Sequence, residues 1–183
     1  MIKYFIFIPN LLSIIRIALV YPILNNIYVG NFETSIIFFL IASLTDALDG
    51  YLARKMDWQT ELGRILDPVA DKLLLSGTVF IFWFNNFIPF YIFVIFISRD
   101  VAILIGAAIQ MSLIESDTPS PNLLGKLTTG LQIIYISIIF INEIFNFDIS
   151  FNFLNILIVF VTILSLFVYT LNWYKDLLKY HNE

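Results

Sequence analysis

The chain has 183 residues, of which 60% are hydrophobic and 13% charged, and 10 Lys+Arg against 14 Asp+Glu give a net charge of −4. Soluble domains carry roughly 45–50% apolar and about 25% charged residues, so the polar residues needed to cover a water-soluble sphere are missing. A soluble enzyme, a disordered tail and a nucleic-acid-binding module are excluded, and the absence of Cys removes disulfides, thiolate zinc sites and a Cys nucleophile.

A bilayer core about 30 Å thick needs roughly 20 apolar residues per helix. Six such runs follow one another, at about 11–28, 34–54, 65–84, 88–111, 124–142 and 152–174. The expected fold is therefore all-α, a six-transmembrane-helix bundle in a single domain over 1–183. Pro9-Asn10 precedes the first run, with Asn10 as its expected cap. No small-residue cleavage site follows that run, so it is expected to remain as a span and not to leave as a signal peptide. Turn-formers fill the breaks: Gly30-Asn31, Asn85-Asn86 with Pro89, Asp117 to Asn122 with two prolines, and Asn146 to Asn152.

Lys3, Arg16, Arg54, Lys55, Arg64, Lys72, Lys126, Lys175 and Lys179 fall at or near alternate helix ends. The opposite connections, around 29–33, 85–90 and 143–151, hold no Lys or Arg. The positive-inside rule then places both termini in the cytosol. Trp173 and Tyr174 at one face, with Trp83 and Tyr91 at the other, suit interfacial belts.

Charges inside spans are the exception that needs a reason, because each costs at least ~2.5–3.5 kcal/mol on insertion scales. The second run ends with Asp46 and Asp49, spaced i,i+3, and the third opens with Asp67 and Asp71, spaced i,i+4. Each pair shares a helix face. Joined by about ten residues, the two helices read as antiparallel neighbours, which sets both pairs at similar depth near the cytosolic surface. Four facing carboxylates repel unless a cation lies among them. An oxygen-lined cage is what Mg²⁺ or Mn²⁺ prefers, and two such ions would neutralise four aspartates. The plainer alternative, interfacial acids paired with Arg54, Arg64 and Lys72, accounts for one pair better than for two aligned pairs. Gly50 and Ala53 leave a flat strip where a planar group could lie against backbone; close helix packing would use the same residues.

Written out, Asp46 to Asp71 reads D-x2-D-G-x2-A-R-x8-G-x3-D-x3-D. This pattern resembles the signature of the CDP-alcohol phosphatidyltransferase family, and the likeness extends over nearly the whole chain. The segments Ile8 to Arg16, Leu66 to Lys72, Ser98-Arg99-Asp100 and Leu124 to Thr129 look most like the branch that uses glycerol 3-phosphate. The resemblance implies transfer of a phosphatidyl group from CDP-diacylglycerol to an alcohol, with release of CMP, by a multi-pass enzyme of a bacterial-type inner membrane. It implies that Asp46, Asp49, Asp67 and Asp71 bind a pair of divalent ions, that Asp71 is the base for the acceptor hydroxyl, and that Asp46, Gly50, Ala53, Arg54 and Gly63 shape the cytidine nucleotide site. It also implies a homodimer.

A dianionic acceptor asks for further cations. Arg99 in the fourth span and Lys126 at the start of the fifth are the expected phosphate-binding residues, with Arg16 in the first span as a third. Where many glycerophosphate-using members have Arg-Glu, this chain has Arg99-Asp100, which is more like the CMP-forming branch whose acceptor is phosphatidylglycerol. That acceptor is the alternative within the family. An ion or proton transporter is the alternative outside it, since intramembrane acids also mark ion paths; no internal repeat supports it. His181 and the pair Asp57 and Glu61 read as solvated, and the 19 Phe as lipid-facing or packing surface.

Overall fold

The computed structural model describes the backbone over 8–56, 61–114, 123–147 and 149–182, and side chains over 10–45, 66–67, 69–106, 125–147 and 149–172. Six helices cover these residues: α1 Ile8–Tyr28, α2 Phe32–Met56, α3 Glu61–Phe84, α4 Phe90–Ile114, α5 Leu123–Phe145 and α6 Asn152–Asn182. Each matches one apolar run of the sequence. Two differences stand out. Asn10 lies inside α1 and is buried, so it is no cap. Glu61, expected in a connection, is the first residue of α3. Among the described residues, α1 from Asn10, α5 from Gly125, and α6 over Asn152–Asn172 are long and apolar enough to cross a membrane. In α2 the described part Phe32–Thr45 is apolar, and α3 carries Asp67, Asp71 and Lys72. The chain is an all-helical membrane protein.

The turns at the three base-free connections share one device. Gly30, Asn86 and Asn146 have positive φ, at 80°, 63° and 51°, the left-handed conformation that ends a helix in a Schellman motif. Its long hydrogen bond forms each time: Asn31 N–H donates to the Asn26 carbonyl at 2.8 Å, Phe87 N–H to Phe82 at 2.8 Å, and Phe147 N–H to Asn142 at 3.1 Å. Asn tolerates this φ better than other non-glycine residues. The chain can thus reverse within three or four residues.

Two compact units form, Met1–Phe87 with Ile139–Phe147, and Ile88–Ile138 with Asp148–Glu183. In the first, α1 packs against both α2 and α3. Phe140 anchors the base-free end, its ring 5.0 Å from Phe82 and 5.7 Å from Phe39 between centroids; such pairs add about 0.5–1.5 kcal/mol beyond area burial. Asn85 donates to the Ile27 carbonyl, tying the end of α3 to that of α1.

In the second unit α4 packs on α6. Buried Tyr135 donates to Asn155 Oδ1 at 2.6 Å, and its ring meets Phe96 edge-on. Elsewhere large apolar side chains face outward: Phe153, Ile156, Phe160 and Phe167 on α6 are all more than half exposed. In water such a surface would aggregate, whereas in a bilayer it is the lipid-facing side.

Gly106 shows how tightly α4 and α6 meet. A Cβ there would lie 2.7 Å from the Tyr169 hydroxyl and 2.9 Å from its ring, while at Gly130 on α5 no described atom comes within 4 Å. Gly106→Ala should therefore lower stability by about 1–3 kcal/mol through overpacking. Gly130→Ala should be neutral or stabilising by up to ~1 kcal/mol, since only its helix propensity changes. Thermal unfolding in detergent micelles checks the contrast.

Candidate active site

The acidic pairs lie on α2 and α3, as their spacing requires. On α2, Ser35, Phe39 and Ala42 are buried at i, i+4, i+7 spacing. The side chains of Asp46, Asp49, Gly50, Ala53, Arg54 and Gly63 fall outside the described residues. On α3, Asp67 and Asp71 continue the buried stripe of Ala70, Leu74 and Thr78, one turn apart.

What holds them comes from α1. Ser13 Oγ donates to Asp67 Oδ1 at 2.5 Å. Arg16 Nη1 lies 3.4 Å from Asp71 Oδ1. Ser13 and Arg16 are both fully buried, while the Asp71 side chain is 44% exposed. The contacts run in register, 13 to 67 and 16 to 71, and reach 27 to 85 at the far end. That ladder is possible only because α1 and α3 run parallel, with α2 returning the chain between them. Sequence reasoning missed Ser13 as a site residue; the hints were its place one turn before Arg16 and inside the family-like segment Ile8 to Arg16.

Could these residues hold a divalent ion? Among the described residues no group of three or more His, Cys, Asp or Glu converges, but Asp67 and Asp71 bring two carboxylates to one side of a helix. Hard cations take oxygen donors in flexible number. One of these carboxylates is nearly half open, so the two described aspartates fit such an ion.

The second unit gathers the other expected cations. Arg99 is buried, and its two Nη atoms donate to Asp100 Oδ1 at 2.8 Å and to the Gly125 carbonyl at 3.0 Å. Gly125 immediately precedes Lys126, which is exposed, so Arg99 grips α5 one residue before Lys126. Arg99 Nε is buried without a hydrogen-bond partner among the described residues. Arg16 belongs to the chain's other unit, beside Asp71.

The chain is similar to known proteins along most of its length. The model of the family described as CDP-alcohol phosphatidyltransferase matches residues 6–171. A protein of Aquifex aeolicus named CDP-diacylglycerol--glycerol-3-phosphate 3-phosphatidyltransferase is 33% identical over 180 residues, which cover 94% of each chain. A Bacillus subtilis protein of the same name is 32% identical over 187 residues, covering 91% of this chain and 95% of that one. A Drosophila melanogaster protein named probable cardiolipin synthase (CMP-forming) is 33% identical over 69% of this chain, which spans 44% of that relative.

Arg99 and Asp100 form a buried ion pair, so removing Asp100 takes that counter-charge from Arg99 and leaves it the neutral Gly125 carbonyl. Asp100→Ala should destabilise the protein by about 3–5 kcal/mol, whereas the double variant Arg99→Met/Asp100→Leu should recover most of that loss, because an apolar pair of similar volume replaces the ions. Thermal melts of the two variants measure the difference; equal losses in both would show that Arg99 draws its counter-charge from elsewhere.

Proposed function

Because the chain belongs to the CDP-alcohol phosphatidyltransferase family, we propose that it transfers the phosphatidyl group of CDP-diacylglycerol to glycerol 3-phosphate, giving phosphatidylglycerophosphate and CMP. The observation that carries this reading is the near full-length match to relatives that bear that activity in their names, joined to a pair of aspartates held one turn apart on α3. It is an enzyme, and the transporter alternative falls away with family membership.

In the reaction, the acceptor hydroxyl oxygen attacks the phosphatidyl phosphorus while the bond from that phosphorus to the CMP oxygen breaks. Asp71 takes the hydroxyl proton, and CMP leaves with the bonding electron pair. Two Mg²⁺ or Mn²⁺ ions, when bound by Asp46, Asp49, Asp67 and Asp71, offset the charge of the pyrophosphate and of the leaving CMP. Asp46, Gly50, Ala53, Arg54 and Gly63 receive the cytidine nucleotide. Arg99 and Lys126 supply the cations for the acceptor's phosphate, the Arg by its planar fork and the Lys as a mobile point charge.

The site opens to the cytosolic side, where both termini also lie, and the active protein is a homodimer. Membrane depth supports that placing: the donor's acyl tails lie in lipid and its cytidine head reaches water, so carboxylates at the cytosolic ends of helices meet both. Phosphatidylglycerol remains the alternative acceptor on the strength of Arg99-Asp100, although the chain spans under half of that relative's length.

An acceptor panel tests the assignment. Purified protein with Mg²⁺ and CDP-diacylglycerol should release CMP with glycerol 3-phosphate and not with phosphatidylglycerol, the lipid product being identified by mass. Cardiolipin as the product would reverse the choice. Asp67→Asn or Asp71→Asn should lower kcat about 10²–10³-fold, in line with loss of a transition-state electrostatic contact. Arg99→Ala should raise the KM of the acceptor far more than that of the donor; a proportional rise in both would remove Arg99 from this role.

A further inference from the structure

Arg16 and Ser13 pose a question that the transfer reaction does not answer. Both are fully buried, on a helix whose exposed residues include Leu11, Ile14, Ile15 and Tyr21. A hydroxyl and a guanidinium withdrawn from water cost several kcal/mol unless partnered. Among the described residues each meets an acid: Ser13 Oγ lies 2.5 Å from Asp67 Oδ1, and Arg16 Nη1 3.4 Å from Asp71 Oδ1. The spacing matches on both sides, with one turn on α1 set against one turn on α3.

We propose that Ser13 and Arg16 are positioning residues for the acidic site, holding the Asp67 and Asp71 carboxylates in the orientation that a divalent ion requires. This rests on the reading of Asp67 and Asp71 as metal ligands. An O–H to carboxylate bond is short and charge-assisted. It restricts the Asp67 side chain to the rotamer that points one oxygen at α1. Arg16 does the same for Asp71 and offsets part of the repulsion among neighbouring carboxylates before an ion arrives. Partners of this kind, which bind the ligand and not the metal, typically govern affinity by 10–100-fold.

Mn²⁺ binding to the full chain in detergent micelles, followed by electron paramagnetic resonance of the free ion, separates this role from simple helix packing. Ser13→Ala should weaken Mn²⁺ binding about tenfold with helicity retained, and Ser13→Thr, which keeps the hydroxyl, should bind like the parent. Arg16→Gln should weaken binding to a similar extent, with Arg16→Lys in between. In turnover, Ser13→Ala should raise the Mg²⁺ concentration needed for half-maximal rate and leave the KM of CDP-diacylglycerol near its parent value. If Ser13→Ala and Arg16→Lys bind Mn²⁺ as tightly as the parent while Asp67→Asn does not, the positioning role is refuted and the metal site stands. If the parent itself binds no Mn²⁺, the metal reading falls first and the positioning role with it. Should Arg16→Gln fail to fold, the Ser13 variants and Arg16→Lys decide the matter alone.

Discussion

Charge inside an apolar helix bundle has to be matched locally, since an unpartnered ion in hydrocarbon costs several kcal/mol, and each unit of this protein is arranged around that demand. In the first unit a fully buried Arg16 meets Asp71 and a fully buried Ser13 meets Asp67. In the second, Arg99 gives its two Nη groups to Asp100 and to the Gly125 carbonyl. With the polar groups turned inward, the outer faces can be as apolar as those of α6. The interior is thus more polar than the surface, the reverse of a soluble domain.

The consequence for function is a division along the helix axes of the first unit. At the base-free end, α1 and α3 close with Schellman turns, and Phe39, Phe82 and Phe140 pack edge to face or tilted. At the other end α1 and α3 are linked by hydrogen bonds and an ion pair. Rigid apolar packing at one end fixes the relative register of the helices, so that the carboxylates at the other end are held by elements and not by loops, which favours precise chemistry. Here α1 is the shared neighbour of both acid-bearing helices, although it contributes none of the acids itself.

Much of this was legible beforehand because the bilayer simplifies the physics. Helices must be about as long as the membrane is thick, so apolar runs found in the sequence reappear as α1 to α6 with only their ends moved. α6 reaches Asn182 and α4 reaches Ile114, past the apolar runs, because a helix need not stop where hydrocarbon does. Gly30, Asn86 and Asn146 take the conformation that such turns demand. Asn10 misled for a local reason: Pro9 is tolerated in a first helical turn, so the helix starts before it and Asn10 becomes an interior polar residue.

Composition and spacing alone determined the membrane class, the six helices among the described residues, and the alignment of Asp67 with Asp71, because each follows from periods and lengths within one segment. The family likeness followed from motif spacing of the same local kind. Which side chains meet those acids depended on how α1 lies against α3. Nothing within residues 8–28 announces that Ser13 faces Asp67 or that Arg16 faces Asp71, 54 and 55 positions away. The same holds for Arg99 and Gly125, brought together from two helices. A one-dimensional pattern reports which face a residue occupies; only packing reports what stands opposite, because that depends on the rotation and register of a second helix.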